Sequence, residues 1–202
     1  IKGRYPDILE APEVGESAAE LFRDAQGLLD ELETNPEVGL RAVYGFFEAN
    51  ACGDDIVLRT EAPHGSGISG TTVTFHMLRQ QADKGPGTAN HCLADYVAPS
   101  DTCLTDYVGL FAVTAGEGLH NLAREIRDRG DDYRAIMIEA LADRLAEALA
   151  EYLHLLARRD CGFGWDEHLS PDDLLKERYR GIRPAPGYPA CPDHSEKPLL
   201  MA

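Results

Sequence analysis

The side chains best suited to chemistry lie in a proline-rich stretch near the end of the chain, residues 183–194, which reads RPAPGYPACPDH. It carries the guanidinium of Arg183, the phenol of Tyr188 and the imidazole of His194. Such groups bind charged ligands through directed hydrogen bonds when they are held in place. The stretch is therefore a candidate binding or catalytic site.

The prolines of this stretch determine its backbone. Four of its twelve residues are proline and one is glycine. Proline fixes φ, lacks an N–H and pushes the preceding residue toward extended geometry, so neither a helix nor a central strand fits. The sequence predicts a stiff, mostly extended ribbon, and we call residues 183–194 the ribbon below. A rigid surface connector is the alternative interpretation.

A second candidate group is a column of carboxylates on a predicted helix that runs from Asp131 or Asp132 to about Arg158. Its members fall every four residues and share one helix face: Glu139, Asp143, Glu147 and Glu151. Like charges at this spacing destabilise an isolated helix slightly. The column is either a solvated face or an acidic stripe that faces a cationic ligand or a mobile partner.

Other motifs fail in context. The pattern Gly65-x-Gly67-x-x-Gly70 resembles a dinucleotide loop, but β-branched residues follow where a helix should begin, so we interpret it as a hairpin loop. Asp166-x-His168 has Pro171 where the cobalamin-ligand signature needs glycine. No histidine or cysteine spacing indicates a metal site, and we predict none.

Hydrophobic periodicity predicts an α+β fold with an antiparallel sheet. The predicted strands are Ala42–Phe47, Asp55–Arg59, Cys92–Ala98 and Tyr107–Thr114, the last nearly all apolar and hence central. The predicted helices are Pro12–Leu32, Gly116–Asp128, the long helix named above and a short helix from Ser170 to about Tyr179.

Composition limits the class of protein. The 202 residues carry a net charge of −16, which argues against nucleic acid as a partner. No apolar run approaches the length of a membrane span, the N-terminus is not a signal peptide, and five widely spaced cysteines fit reduced thiols. We expect a cytoplasmic protein without a membrane contact, and the start at Ile1 suggests an excised fragment.

The segment Tyr179–Lys197 resembles the hallmark of the reactivation domain of cobalamin-dependent methionine synthase, over an ungapped run. Further segments resemble that family in the same order along the chain: Gly53–Ile56, Leu78–Gln81, Leu93–Pro99, Ala140–Ala148 and Glu151–His154. The resemblance spans essentially the whole chain, so residues 1–202 are expected to be one such domain, truncated at both ends.

The resemblance implies a C-shaped single domain with a twisted antiparallel sheet and flanking helices, which binds S-adenosylmethionine in a shallow groove. The domain caps the cobalamin-binding domain of the same enzyme, a 5-methyltetrahydrofolate–homocysteine methyltransferase, when the cofactor has been oxidised to cob(II)alamin. An electron from flavodoxin or a flavoprotein reductase and a methyl group from S-adenosylmethionine then restore methylcobalamin. Cobalamin is held mainly by the neighbouring domain, so the fragment alone is not expected to make methionine.

The resemblance also assigns residues. The expected cofactor-binding set is Arg183, Pro184, Ala185, Gly187, Tyr188, Glu147 and Asp143. In it, the fork of Arg183 binds the ligand carboxylate, and Glu147 faces the ammonium or sulfonium charge. The small residues Ala185 and Gly187 let the backbone approach the ligand closely.

The catalytic positions implied by the resemblance are Tyr188 and His194, which lie toward the cobalt, while Asp143 engages the histidine that cobalamin releases. An acidic electron donor is expected to dock on a basic patch composed of Arg158, Arg159, Lys176, Arg178 and Arg180. Two alternatives remain. In place of the ligand-binding reactivation domain, the chain would be a docking module for the cobalamin domain and electron donor without its own competent ligand site, or a stand-alone reactivating protein.

Overall fold

The computed structural model describes residues 4–36, 38–60 and 70–201. The strands are β1 (Arg41–Cys52), β2 (Asp55–Thr60), β3 (Thr71–His76) and β4 (Asp106–Thr114). The α-helices are α1 (Gly15–Glu33), α2 (Glu117–Asp128), α3 (Asp132–Asp160), α4 (Pro171–Leu175) and α5 (Lys197–Leu200), and short 3₁₀ helices cover Asp7–Glu10, Leu93–Tyr96 and Ser100–Thr102. Residues 65–69, interpreted above as part of a hairpin loop, lie outside the described part of the chain.

Among the described residues, the four strands form one antiparallel sheet in the order β3-β2-β1-β4. The pairing of β1 with β2 closes at Cys52 and Asp55, so Gly53 and Asp54 form the turn, and Gly53 has the positive φ of 64° that such a tight turn requires. The α+β class with an antiparallel sheet is thus confirmed. The prediction that Tyr107–Thr114 is central is wrong, because β4 lies beside β1 at an end of this order, with Tyr107 61% exposed.

One face of the sheet is buried because the strand register places its apolar residues directly opposite one another. Leu58 lies opposite Ala49, and Ile56 lies opposite both Ala51 and Phe75. These residues form one buried cluster with three side chains from the segment that follows β3: Cys92, Ala94 and Val97. Burial of this apolar surface stabilises the sheet.

The segment Cys92–Ala98 is not the predicted strand, because its backbone turns into the 3₁₀ helix Leu93–Tyr96. Asp95 fixes this turn, since its carboxylate accepts the backbone N–H of Cys92 at 2.9 Å. Arg79 in turn holds Asp95 with its Nη1 and Nη2 atoms, each 2.7 Å from a carboxylate oxygen. A contact between residues 16 positions apart therefore overrides the local strand preference.

A second core joins α1, α2 and α3. Its buried residues are Leu28, Leu32, Leu119, Ala123, Met137, Ile138 and Leu141. Tyr133, Ile136 and Tyr152 of α3 are more than half exposed, so the inward stripe of this helix is narrower than its apolar residues suggest.

Two compact units follow from the packing. The first combines Ile1–Val43 with Ala112–Leu153, and the second combines Tyr44–Phe111 with His154–Ala202. Among the described helices, none has the length and apolar character that crossing a bilayer requires.

Candidate functional site

The ribbon folds back on itself between Ala185 and Cys191. The N–H of Gly187 donates to the carbonyl of Cys191 at 2.8 Å, and the N–H of Cys191 donates to the carbonyl of Tyr188 at 2.9 Å. A third bond joins the N–H of Tyr188 to the carbonyl of Ala185 at 3.3 Å. The ribbon is therefore a closed turn in its centre rather than the extended run expected from its prolines.

One side of this turn faces inward and the other faces solvent. Cys191 is buried, and burial together with the nearby Asp193 carboxylate raises the pKa of its thiol, so this cysteine packs rather than reacts. Tyr188 is 65% exposed, and His194 is exposed with its imidazole against Gly187. Tyr188, within the turn, and His194, three residues after Cys191, thus present a phenol and an imidazole to solvent.

The approach to the ribbon is organised by a buried arginine. Arg158, at the end of α3, is only 2% exposed. Its Nε donates to Glu167 Oε2 at 3.0 Å, its Nη1 lies 3.0 Å from His154 Nδ1, and its guanidinium carbon lies 4.4 Å from the centre of the Tyr179 ring. We call Arg158, Glu167, His154 and Tyr179 the arginine hub.

The hub keeps His154 neutral. Burial, followed by the positive charges of Arg158 and Arg183, lowers its pKa to about 4. A neutral imidazole offers one acceptor nitrogen, which here meets an arginine N–H. Arg183, half-buried at the start of the ribbon, contributes one of these positive charges.

The acidic column lies on α3. Glu139 is paired with Arg127 of α2 at 2.9 Å, which lowers the pKa of Glu139, and Glu147 is paired with Arg144 at 2.9 Å. Asp143 lines an open cavity of about 320 Å³ together with Glu139 and His120. Arg127 and Arg144 thus offset part of the repulsion predicted between the carboxylates of the acidic column.

The family described as "Vitamin B12 dependent methionine synthase, activation domain" matches this chain over residues 1–202. The chain belongs to the methionine synthase activation domains. It is also similar to a crystal structure described as the MetH reactivation domain bound to AdoHcy, with 46% sequence identity and a TM-score of 0.85. That match covers 99% of this chain and 60% of the other, so this activation domain spans 60% of the length of that relative.

In this activation domain, the second unit brings together the ribbon residues predicted from sequence: Arg183, Pro184, Ala185, Gly187, Tyr188 and His194. Asp143 and Glu147 belong to the first unit. Their roles toward a ligand stay predictions. Among the described residues, no cluster of three or more His, Cys, Asp or Glu side chains could hold a metal ion.

Sequence reasoning missed the arginine hub of the activation domain. A surface position is the ordinary expectation for His154, whereas its ring is half-buried and packs edge-on against Tyr179 at 4.8 Å between centroids. The four-residue spacing of His154 and Arg158 on α3 was the available signal, but Glu167 and Tyr179 come from an irregular segment whose position no periodicity predicts.

The basic patch expected for an electron donor is also different from the prediction. Arg158 is buried, so it cannot meet a partner. Lys176 and Arg178 are paired with Asp172 and Asp173. Two arginines of the patch stack on aromatic rings instead: Arg159 on Trp165 at 5.5 Å and Arg180 on Phe163 at 4.9 Å.

Proposed function

We propose that this activation domain binds S-adenosylmethionine at the ribbon and supports reductive methylation of the cobalamin carried by a neighbouring module of methionine synthase. The observation that carries the proposal is the match of 99% of the chain, at 46% identity, to a reactivation domain with AdoHcy bound. AdoHcy is what S-adenosylmethionine becomes after it has given up its methyl group. The relative therefore held the demethylated form of the proposed ligand.

The donor set of the ribbon fits this ligand. S-adenosylmethionine carries a carboxylate, an ammonium and a sulfonium charge. The planar fork of Arg183 can bond both carboxylate oxygens, and partial burial limits its competition with water. The closed turn holds the backbone of Ala185 and Gly187 in one conformation before the ligand arrives, which reduces the ordering entropy lost on binding.

The family resemblance assigns the opposite charge to acidic residues of α3. Glu147 shares its carboxylate with the exposed Arg144, and both side chains are more than 60% exposed, so the carboxylate can turn toward a cationic group. An exposed carboxylate attracts a sulfonium or an ammonium weakly but selectively. Asp143 is proposed as the partner of the histidine that the cobalamin releases.

Bound in its own module, cobalamin would supply the cobalt centre that takes up an electron and the methyl group. The chain's own residues contribute position and shielding rather than proton transfer. Tyr188 offers an exposed ring that can cover the reacting face and exclude water, and His194 lies in the same ribbon. Stand-alone methionine synthesis is not proposed for these 202 residues.

Isothermal titration of the chain with S-adenosylmethionine tests the ligand site. Wild type should bind, and Arg183→Ala should weaken binding about 10- to 100-fold, since hydrogen bonds to a charged group contribute about 1.5–3 kcal/mol. Arg129→Ala is the matched control, because Arg129 is an exposed arginine of the other unit. Absence of heat at millimolar ligand would favour the docking module over the ligand-binding domain.

The electron donor is proposed to dock on the two stacked arginines, Arg159 and Arg180, beside Trp165, whose ring is 69% exposed. Stacking holds both guanidinium groups without neutralising them, and exposed tryptophan and arginine often dominate interface energies. With a chain charge of −16, an acidic flavodoxin must meet a local positive patch.

Binding of oxidised flavodoxin at low and high salt tests this surface. Arg180→Glu should abolish most of the salt-dependent affinity, whereas Arg129→Glu, an identical charge change in the other unit, should leave it in place. Equal losses in both variants would mean that net charge alone drives association.

A further inference from the structure

We propose that Arg158 is a positioning residue: through the arginine hub it fixes the segment that carries Arg183 to the ligand. The ligand part of this inference rests on the proposed function. Arg158 itself is expected to touch neither the ligand nor the cobalamin, because it is almost wholly buried.

The first link runs through Glu167. Arg158 Nε and Nη2 both lie 3.0 Å from Glu167 Oε2, while Glu167 Oε1 accepts the backbone N–H of Arg180 at 3.1 Å. One carboxylate thus ties the end of α3 to the backbone just before Arg183. The Glu167 side chain is only 16% exposed, so water competes little for the hydrogen bonds that it accepts from Arg158 Nε and from the Arg180 N–H.

The second link runs through Tyr179, the residue before Arg180. Tyr179 is buried and its ring centre lies 4.4 Å from the Arg158 guanidinium, and the His154 ring meets Tyr179 edge-on at 4.8 Å. Two successive residues, Tyr179 by its ring and Arg180 by its backbone, are therefore attached to the same arginine. A single attachment would allow the chain to rotate about it, and two fix its direction.

The third step leads from the hub to the ribbon. Gly181, with φ of +101°, turns the chain between Arg180 and Arg183. The short path leaves little freedom for Arg183 once Arg180 is held.

A buried charged group suits positioning better than an apolar one. Apolar packing of the same volume can be equally stable, but it tolerates small shifts without penalty. A buried guanidinium that moves away from its carboxylate loses paired charge, so only one arrangement is favourable. Arg158 supplies directed contacts to two partners and a flat face, which lysine cannot reproduce.

The test uses Arg158→Lys, with Arg129→Lys, at an exposed arginine of the other unit, as the control. Hydrogen exchange of the Gly187 and Cys191 amides, without ligand, reports ribbon order, and titration with S-adenosylmethionine reports affinity. We expect Arg158→Lys to speed exchange of both amides and to weaken binding about tenfold or more, while Arg129→Lys changes neither beyond about twofold. A thermal melt separates global unfolding from both readouts.

His154 provides a milder pair that leaves the Arg158–Glu167 ion pair in place. His154→Asn retains an acceptor near the Nδ1 position and should behave like wild type, whereas His154→Leu should repeat the Arg158→Lys effect in weaker form. Unchanged exchange and affinity in both Arg158→Lys and His154→Leu would overturn the positioning role. If wild type fails to bind S-adenosylmethionine, the proposed function fails, and the exchange comparison alone still decides the role of Arg158.

Discussion

The α-carbon of Gly187 faces the imidazole of His194 so closely that a β-carbon at position 187 would lie 2.5 Å from Nε2 of His194. Gly187 also has a φ of +98°, a region that side chains disfavour. Two independent constraints therefore select glycine at this position. Close approach to a ligand was the reason expected for glycine at position 187. In the structure, the group that approaches the Gly187 backbone is the imidazole of His194.

Gly187→Ala should consequently destabilise the ribbon and displace His194. The backbone strain costs about 1–2 kcal/mol, and the clash adds the free energy of moving the ring. Urea unfolding measures the total, and the His194 ring resonances in an NMR spectrum report the displacement.

Gly181→Ala is the matched control for this experiment. Gly181 has nearly the same φ, +101°, and a β-carbon at position 181 would have no other atom of the described residues within 4 Å. The variant should show the strain without the movement of His194. If both variants lose equal stability and His194 keeps its resonances in both, the close approach is unimportant.

His154 should make the protein sensitive to mild acid. Its pKa of about 4 in the folded protein is below the pKa of 6.5 of a free histidine. Between these pH values His154 is therefore protonated in the unfolded chain and neutral in the folded chain. The free energy of unfolding should therefore fall as pH drops from about 6.5 to about 4, by up to about 3 kcal/mol.

Urea unfolding of wild type and His154→Asn at about pH 7 and about pH 4.5 checks this expectation. The asparagine variant, which has no proton to take up at this position, should lose less stability over the interval. In an NMR titration the His154 ring should stay neutral at about pH 5.5 in the folded protein and be protonated there in urea. A folded ring that titrates near the free-histidine value would contradict the prediction.

The sequence predicts what depends on local chemistry, and it fails where distant residues decide. Apolar spacing places α2 and α3 within about two residues of their observed ends. Ser170 and Pro171 likewise begin α4 as expected, with Ser170 as the N-cap. Each of these features is determined by side chains within a few positions of one another.

The failures have a common physical cause. The strand expected at Cys92–Ala98 is turned into a 3₁₀ helix by Asp95, which is held by Arg79 from a different segment. The arginine hub depends on Glu167 and Tyr179, which periodicity cannot bring to Arg158. In both cases an arginine connects segments that are separate in sequence, and no local propensity encodes that connection.

Asp95 should cause a further loss of stability at a more acidic pH than His154 does. The hydrogen bonds from Arg79, followed by the backbone N–H of Cys92, lower its pKa to about 2. A carboxyl group whose pKa is lower in the folded than in the unfolded protein stabilises the fold at any pH above its unfolded pKa. This stabilisation is lost as pH falls toward the folded pKa, here between about pH 4 and pH 2.

Asp95→Asn should therefore be less stable than wild type at about pH 6 and should lose less stability between about pH 4 and about pH 2. Urea unfolding at these pH values measures both effects. Asp101→Asn, at an exposed aspartate of the neighbouring 3₁₀ helix, is the control and should change stability little. A variant that follows the wild-type pH profile would show that the Arg79–Asp95 pair does not stabilise the fold.

Glu147 should favour the methylated ligand over its demethylated form, if the proposed site is correct. S-adenosylmethionine carries a sulfonium charge that AdoHcy lacks, and an exposed charge pair at about 4 Å contributes about 1 kcal/mol in water. Glu147→Gln should thus weaken S-adenosylmethionine about fivefold more than AdoHcy, measured by titration of each ligand.

Glu125→Gln is the control for Glu147→Gln, because Glu125 is also an exposed glutamate paired with an arginine close to it in sequence. Its removal changes net charge by the same amount and should leave the preference between the two ligands unchanged. Equal losses for both ligands in Glu147→Gln would assign its carboxylate to the ammonium, which both ligands carry. No loss for either ligand would show that Glu147 does not contact the ligand. The acidic column would then be a solvated face, and recognition of the sulfonium would be left to the ribbon.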